Sequence, residues 1–199
     1  MVSAMNYSEQ LLALFREKEA YLEGHFLLSS GLHSPNYMQC AKILQYPAIA
    51  SELGHRLAES LRSGIDGVDL VLSPALGGII IGHEVARGFN VPFLFCEREE
   101  KEFKLRRGFE IRSGQRVVVV EDVVTTGGST RETIAVAKGL SASIAGVASI
   151  VDRSTRPLEF PGVYCSLLKL PLDQFRPEDC PLCRQQIPLV KPGSRKQTV

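Results

Sequence analysis

The chain has 199 residues, 44% of them apolar, and its 23 Lys and Arg balance 22 Asp and Glu to a formal net charge of +1. That apolar fraction excludes global disorder, and the length suits a single domain. No basic footprint for nucleic acid stands out, and apolar runs such as Val117–Val120 fall far short of the roughly 20 residues that span a bilayer.

Met1–Gln10 has neither a basic start nor a long apolar run, so a soluble, cytoplasmic chain without a secretory signal is expected. The five cysteines (Cys40, Cys96, Cys165, Cys180, Cys183) are an odd number, and reduced thiols are expected rather than a disulfide framework.

The first helix is expected over residues 8–23, capped by Ser8, with Leu11, Leu12, Phe15 and Leu22 on one face and Gly24 at its end. Residues 25–39 read as two short extended pieces around the turn-rich Ser29–Pro35. Pro47 opens a second helix, in which Ile49, Leu53, Leu57 and Leu61 recur every fourth residue up to Gly64. Strands and helices then alternate. Val68–Leu72 leads through Ser73–Gly78 into a helix ending near Gly88, followed by a strand at Val91–Cys96. Arg116–Glu121 leads into a helix ending near Leu140, and further strands are expected at Ile144–Val151 and Val163–Leu170. Such alternation implies right-handed βαβ units and a mainly parallel sheet flanked by helices, an α/β fold. The Pro-, Arg- and Lys-containing tail from Pro171 reads as a loop-like extension.

The sharpest segment is Val117–Thr130. Four valines make an interior strand, and Glu121 and Asp122 emerge where it ends, the place where ligands bind in open parallel sheets. Thr125-Thr126-Gly127-Gly128-Ser129-Thr130 then opens a helix. Glycines admit backbone N–H groups close to an anion, hydroxyls add donors, and the helix dipole favours negative charge. A phosphate cradle beside two acids needs something between them, and sugar hydroxyls or a divalent metal serve. The ligand suggested is a phosphorylated sugar, its phosphate in the loop and its ribose hydroxyls on Glu121 and Asp122. An ordinary strand–turn–helix with a solvated acidic turn is the alternative. Neither G-x-x-x-x-G-K-[ST] nor G-x-G-x-x-G is present, which disfavours a P-loop NTPase and a Rossmann dehydrogenase.

This segment resembles the phosphoribosyl-pyrophosphate signature of type I phosphoribosyltransferases, and three others are similar to orotate phosphoribosyltransferases, together covering most of residues 20–155. The resemblance implies that fold, with about residues 1–45 as a small hood, 46–170 as the core and 171–199 as an extension. It implies transfer of a phosphoribosyl group from phosphoribosyl pyrophosphate to orotate, with Mg²⁺ held mainly by the diphosphate rather than by side chains. It also implies a homodimer acting on small molecules, with no nucleic-acid or membrane partner. By the same resemblance Glu121, Asp122, Val123, Val124, Thr125, Thr126, Gly127, Gly128 and Ser129 contact phosphoribosyl pyrophosphate. Gly24–Met38 resembles part of the orotate pocket, with Tyr37 and Met38 lining the pyrimidine; Ser29 stands where many relatives carry lysine. Ile150-Val151-Asp152-Arg153 places Arg153 like the family arginine that contacts orotate, together with Thr125; a surface Arg153 paired with Asp152 or Glu159 is the alternative.

Glu97–Arg107 packs four acids and five bases into eleven residues. Between two strands it reads as a mobile loop, and in the family a basic loop closes over the diphosphate, often from a neighbouring subunit. Arg98 aligns with the arginine that opens that loop. Glu99 and Glu102 replace family lysines, which leaves Lys101 and Lys104 as candidates for the leaving group beside the catalytic acids Glu121 and Asp122. The Ser73–Gly78 turn corresponds to a diphosphate-contacting loop.

Cys180-Pro181-Leu182-Cys183 has the spacing of half a zinc site, which Cys40, Cys165 or a histidine could complete; reduced structural thiols are the default. His25, His33, His55 and His83 share no metal-ligand spacing, and a structural role is expected for His55. Two rival functions keep the Glu121–Thr130 segment. A purine phosphoribosyltransferase has no need of Arg153, and a non-catalytic nucleotide-sensing regulator loses the basic loop.

Overall fold

The computed structural model describes residues 6–28, 30–100 and 102–192. Ser29 and Lys101 lie outside the described residues. In chain order the elements are α1 (Tyr7–Glu17), β1 (Tyr21–Leu27), β2 (His33–Met38), α2 (Ala41–Leu44), α3 (Pro47–Arg62), β3 (Leu70–Pro74), α4 (Gly78–Phe89) and β4 (Phe93–Glu99). There follow β5 (Glu102–Leu105), β6 (Arg116–Val124), α5 (Gly128–Gly139), β7 (Ser143–Asp152), β8 (Val163–Lys169), a 3₁₀ turn (Pro177–Asp179) and α6 (Pro181–Arg184).

The main sheet has the order β5-β4-β3-β6-β7-β8, parallel except for the antiparallel edge strand β5. Its two faces follow from the pleat of β6. Val118 and Val120 join the core built with α1, α3 and α4, and Val117 and Val119 join the one built with Ile134 and Ala137 of α5. All four valines are fully buried, each contributing about 1.5–3 kcal/mol. Burial on both faces is why the run is continuous rather than alternating. Beside this sheet, β1 and β2 form a separate antiparallel hairpin at the N-terminal end, the small hood.

Four expectations need correction. The first helix stops at Glu17 rather than running to residue 23, because Glu19 turns the chain at φ 52° and Tyr21 starts a strand. Leu22 therefore lies in β1, its helical spacing to Phe15 being coincidental. The cap is Asn6, not Ser8: Asn6 Oδ1 accepts the Glu9 N–H at 2.9 Å and Glu9 Oε2 accepts the Asn6 N–H. The charged Glu97–Arg107 linker is a hairpin, not a loop, with Glu97 opposite Lys104 and Arg98 opposite Phe103. Phe103 supplies the reason, since its burial against the α5 side of the sheet holds the edge strand down. The tail is also more than a loop. It carries two short helical turns, and Phe175 and Val190 bridge to His33 and Phe26 of the hood.

Candidate active site

Strand β6 continues through Val124, so Glu121 and Asp122 lie within its last turn of pleat rather than past its end. Both stand at the C-terminal edge of the parallel sheet, beside the β3–α4 loop. Gly77 of that loop approaches so closely that a Cβ there would sit 2.7 Å from Asp122 Oδ1, so only glycine lets the loop pass. The Ala75–Leu76 peptide in the same loop is cis. Glu121 is buried, and that burial, together with the charge of Asp122, pushes its carboxyl up to about 9. Burial also raises Asp122, but its Oδ1 accepts the Val123 N–H at 2.9 Å, which favours its charged form. Asp122 therefore ionises first and Glu121 keeps its proton at neutral pH.

Past these acids the chain wraps a cavity of about 230 Å³, lined by Glu121, Val123 through Thr130, and Glu132. Gly127 makes the turn with φ 77°, and a Cβ there would meet Phe160 and Arg131 at 2.9 Å. No side chain caps α5 among the described residues, which leaves its first-turn N–H groups for an anion. Arg131 Nη1 donates to Thr126 O at 2.6 Å and braces the loop.

A second cavity, of about 440 Å³, adjoins the first, and the two share Thr125 and Thr126. Its walls come from three places: Leu27, Leu28, Ser30, Leu32 and Tyr37 of the hood, Arg153 past β7, and Gln174, Lys191 and Pro192 of the tail. Arg153 donates its backbone N–H to Val124 O at 2.8 Å, which ties it to the cradle. Its side chain is buried, and neither Nε nor Nη2 has a hydrogen-bond partner among the described residues. Asp152 does not pair with it: Oδ1 accepts the Ser154 N–H at 2.8 Å, and Oδ2 lies 4.0 Å from Lys169. The surface-arginine alternative thus fails. Met38 is not brought to this cavity. It follows Tyr37 in β2, and the pleat turns it into the core.

On the other rim, Arg98 pairs with Glu132 at 2.8 Å and covers the Phe103 ring at 4.2 Å. Since Glu132 lines the cavity of about 230 Å³, Arg98 stands at its edge. Lys104 is held by Glu99 at 2.8 Å, and Arg107 forks onto Glu97 at 2.7 and 2.8 Å. Lys104 and Arg107 are thus balanced by acids of the hairpin itself, and Arg98 by Glu132 of α5; Lys101 lies outside the described residues.

The model of the phosphoribosyl transferase domain matches residues 39–182. The chain is 50% identical over 188 residues to the orotate phosphoribosyltransferase of Caldanaerobacter subterraneus subsp. tengcongensis, covering 94% of this chain and 98% of that protein. The chain belongs to the orotate phosphoribosyltransferase family. A second member, from Carboxydothermus hydrogenoformans, is 50% identical over 94% of this chain and 97% of its own. The crystal structure of the Aeropyrum pernix orotate phosphoribosyltransferase shares the fold, with a TM-score of 0.64 at 24% identity over 80% of this chain and 93% of that one.

For this family member, several residues at the site were not singled out in the sequence. Gln174, Lys191 and Pro192 reach the second cavity from a tail that reads as featureless, and no local signal marks them. Glu132 was within reach, since it sits one turn into α5 from the cradle. His25 and His33 are also misjudged by sequence spacing, because the hood hairpin places them side by side, with Nε2 and Nδ1 2.9 Å apart.

Proposed function

We propose that this protein transfers the phosphoribosyl group of phosphoribosyl pyrophosphate to orotate, forming orotidine monophosphate and pyrophosphate in pyrimidine synthesis. One observation carries the choice of base: the buried guanidinium of Arg153, its Nε and Nη2 without a hydrogen-bond partner among the described residues, in a cavity that adjoins the phosphate cradle. A guanidinium fork matches a carboxylate with two parallel hydrogen bonds, and orotate has that carboxylate where uracil and the purines do not.

The steps follow from the geometry. The cradle of Thr125–Ser129 holds the 5′-phosphate, and binding energy far from the reacting carbon positions it. Arg153 and Thr125 turn the ring nitrogen of orotate toward the anomeric carbon, and Tyr37 borders the ring. As the bond from that carbon to the diphosphate oxygen breaks, positive charge grows on the ribose. Asp122, ionised, stabilises it, and Glu121 gives its proton to hydrogen bonding with a ribose hydroxyl. The bond from orotate nitrogen then replaces the one to oxygen. Arg98, Lys104 and Lys101 are the cations assigned to the departing diphosphate, and Lys104 must leave Glu99 to serve.

Mg²⁺ is part of this reading. Of the two neighbouring acids Glu121 keeps its proton and Asp122 has one oxygen tied to a backbone amide, so these side chains would not hold the ion by themselves. The diphosphate and ribose would supply its oxygens, with Glu121 and Asp122 acting through the ribose hydroxyls. When bound, the ion offsets diphosphate charge. A homodimer, with the hairpin serving the neighbouring site, also belongs to the proposal on the strength of the family resemblance; light scattering at twice the chain mass is expected. Among the described residues, no helix is long and apolar enough to cross a membrane, and a cytoplasmic location is proposed.

The deciding assay follows loss of orotate absorbance with phosphoribosyl pyrophosphate and Mg²⁺, beside reactions with uracil or hypoxanthine and one without metal. Metal-dependent consumption of orotate alone is expected. Turnover of hypoxanthine would replace this reading with the purine one, and binding of phosphoribosyl pyrophosphate without turnover of any base would replace it with the regulator.

A further inference from the structure

The tail meets the hood through more than backbone pairing. His25 of β1, His33 at the start of β2, Cys180 and Cys183 converge so that one ligand atom from each lies within 4.8 Å of the others. The contacts are His25 Nε2 to His33 Nδ1 at 2.9 Å, His25 Nε2 to Cys180 Sγ at 3.5 Å and to Cys183 Sγ at 3.8 Å, and His33 Nδ1 to Cys183 Sγ at 3.3 Å. Zn–N bonds of about 2.0–2.1 Å and Zn–S bonds of about 2.3 Å give a tetrahedron with edges of roughly 3.4–3.8 Å. Three of these four contacts already fall near those edges, the two imidazoles would part by about 0.4 Å, and the other two of the six pairs lie within 4.8 Å. His25, His33 and Cys180 are buried, and Cys183 stands at the solvent edge, an entry path for an ion.

Two further features favour a metal over a chance cluster. His25 Nδ1 lies 2.7 Å from Ile187 O. A carbonyl only accepts, so Nδ1 carries the proton and Nε2 turns its lone pair into the cluster, the outer hydrogen bond that metal-bound histidines make. The donor set also balances charge. Two thiols lose their protons to solvent on binding, and two thiolates cancel the charge of a divalent ion, so nothing charged remains buried unpaired.

We propose that His25, His33, Cys180 and Cys183 bind a structural zinc ion that clasps the C-terminal extension to the N-terminal hood. Four protein ligands close the tetrahedron and leave no position for substrate, so the ion does not act in catalysis. Its place in the fold says what it holds. The hood strands and the tail on either side of the clasp supply Leu28, Tyr37, Gln174 and Lys191 to the wall of the larger cavity. That consequence for the base site rests on the function proposed above; metal binding itself does not.

The test is the metal content of full-length protein purified without chelators from zinc-supplemented cells. One zinc per chain is expected, falling to background in Cys180→Ser and Cys183→Ser. Co²⁺ added to the metal-free protein should give the visible bands of a tetrahedral ion with thiolate ligands, absent in Cys183→Ser. A chelator should lower the thermal midpoint of the wild type by about 5 °C or more and leave that of Cys183→Ser unmoved. If Cys180→Ser fails to fold, Cys183→Ser at the solvent edge carries the comparison. Metal-free protein as isolated, with titratable thiols or a Cys180–Cys183 disulfide and no Co²⁺ bands, overturns the proposal.

Discussion

The cradle proposed for phosphate and the cavity proposed for the base lie side by side and share Thr125 and Thr126, yet they are built in opposite ways. The cradle comes from one unbroken stretch, Glu121 to Glu132, shaped by a strand end, a left-handed glycine and an uncapped helix start. The base cavity draws on the hood, the end of β7 and the tail, the hood lying more than a hundred residues from the other two. A site of the first kind inherits its geometry from local backbone rules. A site of the second kind exists only once the separate pieces have packed.

Mutations should separate the two. The largest effect is expected from Asp122→Asn, which keeps an acceptor for the Val123 N–H but removes the charge that the proposed mechanism sets against the ribose. Turnover should fall on the order of a hundredfold or more with an unchanged thermal midpoint. Normal turnover in a folded variant would take Asp122 out of the mechanism. Arg153→Gln should strike the other cavity. Loss of a charge-assisted hydrogen bond of about 1.5–3 kcal/mol predicts a roughly 10- to 150-fold drop in kcat/KM for orotate. The KM for phosphoribosyl pyrophosphate should hold, and equal loss for both substrates would mean that the two cavities are not separable.

Smaller effects sharpen the same contrast. Gly127→Ala forces a side chain into φ 77° against Phe160, and denaturant titration should show about 1–3 kcal/mol of lost stability and weaker binding of inorganic phosphate. Glu121 supplies a pH signature. Its folded pKa of about 9 lies above the ordinary carboxylate value of 4.5, so the folded state holds a proton that the unfolded chain releases. The stability this contributes is complete below pH 4.5 and is lost as pH rises toward 9, with a slope of at most about 1.4 kcal/mol per pH unit. Thermal melts of the ligand-free protein should fall across that window, and Glu121→Gln should flatten the decline. An unaltered slope would place the proton elsewhere.

How much could be read in advance divides along the same line. The parallel sheet and the four-valine strand were legible because each is written in contiguous residues whose pattern points to one structure, whereas the Thr125–Thr130 turn kept an alternative and Arg153 was singled out only by resemblance to the family. Tyr37 lines the larger cavity and Met38 does not, because the period of two along β2 turns Met38 into the core. The charged linker misled because composition alone reads as a solvated loop, and one buried aromatic, Phe103, was enough to pin it as an edge hairpin.

By itself, the sequence determined the α/β layering, the place of the acids at the strand end and the chemistry of the anion loop. Hydrophobic period, glycine and helix polarity act over a few residues. Only the tertiary structure decided that Arg153 is buried with Nε and Nη2 unpartnered among the described residues, that Gly77 passes close to Asp122 and that the tail borders the larger cavity. It alone brought His25 and His33 to Cys180 and Cys183, across more than 140 residues of chain. Such meetings depend on how whole elements pack, and no local pattern records them.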